Sequence, residues 1–295
     1  VSHERTENVE LRAAVLDGIV LGLQYGLLGV GLTLIYGLAG VLNLAHGQVA
    51  VLGAIVVSLL MGGGQPVAVA AMVGIVAASA FMVGLDRTLM RAVYRQEGER
   101  RILLGLLLML GVSFAVEGFI TWRYPVQQLR IRISGDAVPI LGVPMPLGAL
   151  VASGIAVAAG VVLVGFFRLT TLGRGVRSVI QDEIGARLSG VNPSAVRTLV
   201  FGLSGALACL VAVTRSMTGP IGFANAIGFT TLALIVAVVG GLGSVSGAFL
   251  AGVLLGVVDR LSSTYIGTYV TTIVLLLCAA VTIVLRPSGL LGRPE

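Results

Sequence analysis

The sequence alternates apolar runs of membrane-crossing length with short polar connections. Residues 149–167 and 266–285, for example, contain no charged side chain. An α-helix rises 1.5 Å per residue, so ~20 apolar residues cross the hydrocarbon core of a bilayer. Runs of this kind fill most of the chain and leave no soluble domain of useful size. Composition agrees: 57% of the residues are hydrophobic and 11% charged, against about 25% charged in soluble domains. The expected fold is all-α: a polytopic transmembrane helix bundle of about 8 membrane segments, including glycine-broken ones. It forms a single transmembrane domain over residues 1–295.

One run breaks its own pattern. In LTLIYGLAGVLNLAHGQVAVLGA, residues 32–54, Gly37 and Gly40 loosen the helix, and Asn43, His46 and Gln48 follow. A polar group in hydrocarbon costs free energy unless protein or water satisfies it. These three side chains therefore either line a cavity or hydrogen-bond across to another helix. The residues alone leave both open, and all three are candidates for a translocation path. A second long run, 231–258, is broken by GGLGSVSG at 240–247 and adds Gly240, Gly241, Gly243 and Ser244 as candidates. Two glycine-interrupted segments, one in each half, point to a central pathway. In the first span, Gly18, Gly22 and Gly26 recur every fourth residue, which lines one helix face for close backbone approach. Further spans are expected at 13–36, 67–85, 102–121, 149–167, 195–213 and 266–285.

Charge sets the expected topology. The chain has a formal charge of +6 and no Lys. Five Arg fall in 86–101 and five in 168–197, which places both loops inside. Residues 123–148, rich in Pro and Gly, form an outer loop with extended pieces at 129–133 and 138–143. Trp122 and Tyr124 read as interface anchors. Arg286 and Arg293 favour the inner face for the termini. In the second Arg loop, Val176, Ile180, Ile184 and Leu188 form one apolar stripe, so Gly175–Leu188 reads as a single amphipathic helix. Glu183 and Arg187 can pair along it. Gly190 stops it, and Asn192–Pro193 opens the next span. Such a helix either rests on the membrane or docks a soluble partner.

Several function classes drop out. No aromatic–basic interleaving suggests nucleic acid. Cys209 and Cys278 lie in apolar runs and read as small buried side chains. No GxSxG, HExxH or Walker GxxxxGK[ST] sequence is present, so neither enzymatic chemistry nor ATP binding by this chain is expected. His46 is the sole histidine beyond the N-terminal tail, which excludes a multi-His metal site within one chain. Asp17, Glu117 and Asp259 lie near span ends rather than in a deep cluster. That weighs against a proton-coupled secondary transporter or channel, the second physical reading.

Four motifs in register, GLTLIYGLAGVLNLAHGQVAVLGA, GRGVRSVIQDEIGARLSGVN, VVGGLGSVSGAFLAGVLLG and RPSGLLGRPE, resemble the LivH-type permeases. These are membrane subunits of bacterial ATP-binding-cassette importers for branched-chain amino acids, and the resemblance runs nearly end to end. It implies a multi-pass protein of the bacterial cytoplasmic (inner) membrane. It also implies a second permease subunit (LivM-like, or a second copy of this chain), two cytoplasmic ATPase subunits and an extracytoplasmic substrate-binding protein. ATP and Mg would be held by the ATPases, with no cofactor or metal on this chain. In the resemblance, Gly173, Arg174, Asp182 and Gly190 match the recurring positions of the ATPase-docking loop, and Arg177, Glu183 and Arg187 lie within it. Asn43, Ala45, His46 and Gly47 match the first motif; Gly240, Gly241, Gly243, Ser244 and Gly247 match the second. Two positions depart. Gln48 stands where many members carry an acid, and Leu232 where many carry a Lys. Both remove charge near the expected path, so urea, amides or another small solute stand beside branched-chain amino acids as substrates.

Overall fold

The computed structural model describes residues 2–292, with side chains from residue 9 onward. Arg293 and the end of the last motif lie outside the described residues.

Among the described residues, eight helices are long and apolar enough to cross a membrane. The first, α1 (Ser2–Ala39), ends where Gly40 adopts φ +65°, a conformation that L side chains with a Cβ disfavour. After a six-residue break, α2 (His46–Gly62) is an apolar helix of 17 residues, shorter than those eight, of which the one ending at Gly240 begins at Phe223. The next elements are α3 (Val67–Arg87), the single turn α4 (Met90–Val93) and α5 (Gly98–Arg123). A small antiparallel hairpin follows, β1 (Val138–Ile140) paired with β2 (Val143–Met145). Then come α6 (Leu147–Leu169), α7 (Thr171–Gln181), α8 (Glu183–Leu188) and α9 (Pro193–Ser216). The last three are α10 (Ala226–Gly240), α11 (Val245–Tyr265) and α12 (Thr268–Leu285). The eight long helices match the expected count, but the run at 231–258 is two separate helices rather than one broken span, and the break at 40–45 together with the shorter α2 makes a ninth passage between the two sides.

The centre of the bundle is the α1–α11 pair. Gly18, Gly22 and Gly26 face Val257, Val253 and Phe249 in turn, so the two helices run antiparallel. Gly252 and Gly256 of α11 oppose the same seam, and backbone meets backbone. In lipid no hydrophobic force drives helices together, so this close packing supplies much of their attraction. The glycine face legible in α1 thus has a second glycine face as its partner.

Contacts along this pair also fix which ends share a side. Ala13, Leu16 and Val20 of α1 pack on Val143, Met145 and Ala149 of the hairpin region. At its other end, Gly37 meets Gly243, with Ile180 of α7 beside it. The side carrying α7 and α8 holds Arg87, Arg91, Arg174, Arg177 and Arg187, which makes it the inner one. The segment after α12 lies on that same side, where Leu290 N donates to the Val239 carbonyl at 2.9 Å. The start of α1 is therefore outside and the end of α12 inside. The inner end of α12 agrees with the expectation drawn from Arg286 and Arg293, whereas the start of α1 corrects it, because α1 crosses fully before the chain turns back into α2.

Two local expectations also change. Of the extended pieces, 138–143 belongs to the hairpin, whereas 129–133 forms no strand. Leu129 instead bridges to Ile221 and Ile131 N bonds the Ser216 carbonyl, stitching the outer loop to the end of α9. The amphipathic stretch 175–188 is two helices. Asp182 takes an extended conformation (φ −156°, ψ 104°), ends α7, and caps α8 by accepting from Ile184 N at 3.0 Å. A short acceptor side chain competes with the helix ladder in this way wherever the backbone can turn.

Candidate functional site

Two sites carry the residues singled out above, one on the inner face and one at the α1–α2 break.

On the inner face, α7 rests its buried side, Gly173, Val176 and Val179, on the bundle. Gly173 fits against the Phe166 and Phe167 backbone, and its amide donates to the Thr170 hydroxyl at 2.9 Å, which caps the helix. Arg174 and Arg177 point away from the bundle. After the Asp182 turn the apolar stripe changes sides. Val176 is buried and Ile180 half-buried, but Ile184 is 75% and Leu188 85% exposed. The stripe read as one face is thus a buried anchor on α7 and an uncovered tip on α8. Leu169 and Leu172 add exposed apolar surface nearby in the chain. Glu183 pairs with Arg187 at 3.0 Å, as its spacing predicts, and also with Arg197 of α9 at 3.2 Å. Gly190 ends the element with φ +84°, and the Asn192 side chain accepts from Ser194 N at 3.0 Å to start α9. Large uncovered apolar side chains ringed by charge mark a surface that a protein partner or the membrane covers.

At the break, Asn43 and His46 are fully buried and Gln48 nearly so. Asn43 Oδ1 accepts from Ala45 N at 3.1 Å and closes the turn before α2; its Nδ2 faces the Met82 sulfur at 3.8 Å. His46 Nδ1 lies 3.4 Å from the Ser204 hydroxyl midway along α9, with its ring against Gly31 of α1. Gln48 joins three helices: its Oε1 accepts from Thr230 Oγ1 at 3.2 Å, and its Nε2 donates to Glu117 of α5 at 3.4 Å. Thr230 also accepts from Gly47 N at 2.9 Å, which satisfies a first-turn amide of α2. Gly47 sits so close to the Ala226 carbonyl that any side chain would overlap it. The first turns of α2 and α10 therefore meet, held by Thr230. Thr230 was missed in the sequence; a single Thr in an apolar run gives no signal there. Thr230→Val keeps the shape and removes both bonds. The expected cost is about 1–2 kcal/mol, read as a lower detergent melting temperature with insertion unchanged.

The second glycine cluster meets the first run where Gly37 packs on Gly243. Gly241 (φ +99°) and Gly243 (φ +90°) turn the chain between α10 and α11, and Ser244 caps α11 by accepting from Gly247 N at 3.1 Å. Gly240 packs on Ala248. The carbonyls of Val239 and Gly240, left over at the end of α10, are taken up by Leu290 N and Leu291 N. The third and fourth sequence motifs are thus one structural unit. Gln48 and Leu232 also separate: Gln48 sits in the polar junction, and Leu232 packs beside the apolar cluster of Ile235, Val236, Leu255 and Leu275.

With this geometry in hand, comparison with known proteins is specific. A family model described as "Branched-chain amino acid transport system / permease component" matches residues 14–285. The high-affinity branched-chain amino acid transport system permease protein LivH of Escherichia coli (strain K12) is 30% identical over 297 residues, covering 95% of this chain and 94% of that protein. The corresponding permease protein BraD of Pseudomonas aeruginosa is 28% identical over 295 residues, covering 95% of each. Among solved structures, a chain of PsaBC from Streptococcus pneumoniae in complex with Fab matches with a TM-score of 0.56. The match covers 98% of this chain and 97% of that one at 14% identity, a likeness of fold.

Proposed function

We propose a function from one premise: this chain belongs to the branched-chain amino acid transport system permease family. It acts as a membrane permease subunit of an ATP-binding-cassette importer in the bacterial cytoplasmic membrane, moving branched-chain amino acids. A second permease, either a related subunit or another copy of this chain, completes the path. Two cytoplasmic ATPase subunits, which hold ATP and Mg, drive it, and an extracytoplasmic binding protein delivers the solute. The observation that carries the reading is α8, which sets Ile184 and Leu188 in the open on the Arg-rich face, where a soluble motor reaches them. Arg174, Arg177, Asp182, Glu183, Arg187 and Gly190 frame that contact.

Asn43, His46 and Gln48 are packed inside the chain, and Gly240, Gly241, Gly243 and Ser244 pack on the inner side. In this reading they shape the path by fixing the two breaks, and the delivering protein does most of the solute selection.

The test is purification from the native membrane in mild detergent, followed by reconstitution with the recovered partners. Recovery of an ATPase, a permease partner and ATP-dependent leucine uptake supports the reading. ATP-dependent uptake of urea or a short amide with none of leucine would move the substrate and keep the importer. Repeated recovery of the chain alone, with transport independent of ATP, would replace it by a secondary transporter or channel.

A further inference from the structure

Below α9, a closed circuit of side chains joins the exposed α8 to the ends of α3 and α4. Glu183 on α8 accepts from Arg197 on α9 at 3.2 Å. The same Arg197 guanidinium lies 4.5 Å from the centre of the Tyr94 ring, just past α4. The Tyr94 hydroxyl donates to Asp86 Oδ1 at 2.8 Å, at the end of α3. Thr198, the neighbour of Arg197, donates to the other oxygen, Asp86 Oδ2, at 2.5 Å and closes the circuit. A second guanidinium, Arg101 of α5, lies 5.6 Å from the centre of the same ring.

These contacts are sheltered. Asp86 is 4% exposed, and the Arg197 side chain is 11% exposed, against 67% for Arg187. A guanidinium stacked on an aromatic face and shielded from water is held far more firmly than a surface ion pair. Burial, and after it the Asp86 charge, push the Tyr94 phenol above its ordinary pKa, so it remains a donor. Helix α8 itself packs against α7 and α9, and α3 packs against α9. A displacement of α8 therefore reaches α3 and α4 through α9, and Arg197 is where the two halves of that route meet.

We propose that Arg197 is a positioning residue for coupling, locking the α7–α8 docking element to the inner ends of α3 and α4 so that they move as one unit during ATP-driven transport. The proposal rests on the importer reading above and adds the route by which force leaves the docking surface. Glu183 is the input, because it is the carboxylate on α8 and is shared between Arg187 and Arg197. Tyr94 is the output, because its ring and hydroxyl face Arg197 and Asp86 at once.

The experiment uses the complete transporter in liposomes, with leucine as the transported probe, and compares Arg197→Met, Arg197→Lys and Tyr94→Leu. The measured quantity is solute moved per ATP hydrolysed. Arg197→Met and Tyr94→Leu should each lower it by about five- to tenfold, with ATPase subunits still bound. The double variant should be no worse than either alone, since both break one link. Arg197→Lys, which keeps a cation between Glu183 and the ring, should recover at least half. A readout that needs no transport accompanies this: spin labels on Ser189→Cys at the end of α8 and Arg91→Cys, both exposed and neither assigned to the docking contact. Their separation should stay fixed on nucleotide addition in the parent and shift or broaden with Arg197→Met. Unchanged coupling in both single variants, additive losses in the double, no advantage of Lys over Met, or an α8–α4 distance indifferent to Arg197 would each overturn the proposal. A parent complex that moves leucine only without ATP would instead overturn the importer reading, and this proposal with it.

Discussion

Ile184→Asp combined with Leu188→Asp is expected to abolish ATP-driven uptake while the chain inserts and folds normally. The two side chains are 75% and 85% exposed, so they contribute little to the stability of the isolated chain. If an ATPase covers them, they become the apolar centre of an interface, where a few large side chains carry most of the binding energy. Two carboxylates buried there without partners oppose association further. Losing two such anchors lowers ATPase affinity by ~100-fold or more. The measurement is co-purification of the ATPase with the variant, alongside leucine uptake. Parent-like recovery of the ATPase would show that α8 is not the docking surface. Gly190→Val provides a second approach to the same element. At φ +84° a branched side chain is strained, which shifts the end of α8 and should reduce uptake without touching the apolar tip.

The second large effect falls on the α1–α11 seam. Gly252→Leu should leave little folded protein. A methyl group on Gly22 already comes within 2.6 Å of the Val253 carbonyl oxygen, and one on Gly252 overlaps the Gly26 backbone. Backbone cannot rotate away as a side chain can, so the helices must separate along the seam. Overpacking a core costs about 1–3 kcal/mol where side chains can yield, and at least ~3 kcal/mol is expected where two backbones meet. That is a large share of a typical stability of ~5–15 kcal/mol. Size-exclusion in detergent should show an aggregated or absent peak, and Gly252→Ala an intermediate melting temperature. A control at Gly154 of α6, where an added methyl group meets open space, should tolerate Ala. A folded, parent-like Gly252→Leu would mean that the helices are held elsewhere.

Much of the fold was legible because hydrophobicity and helix length are local properties. The spans appear as apolar runs, and the ends of α8 and α9 follow from Gly190, Asn192 and Pro193. The glycine face of α1 was legible as a face, though not its partner. At the polar break, Asn43, His46 and Gln48 stand out because polar side chains are costly in hydrocarbon. Thr230, Ser204 and Glu117, which complete the junction, lie far away in sequence and carry no pattern of their own.

By itself, then, the sequence determined that this is a helical membrane protein, which stretches supply most of its long helices, and which loops face inward. Each rests on local chemistry: apolar length, glycine and proline conformation, and arginine excess. Tertiary structure decided the rest. The α7–α8 stripe splits because Asp182 ends α7 and restarts the chain as α8, which buries Ala186 rather than Ile184 and Leu188. The start of α1 lies outside because α1 crosses fully alongside an antiparallel α11. Arg197 becomes a bridge because folding brings Glu183, Tyr94 and Asp86 around it. Contacts of this kind depend on which helices become neighbours, a property of the whole chain's packing that no local pattern encodes.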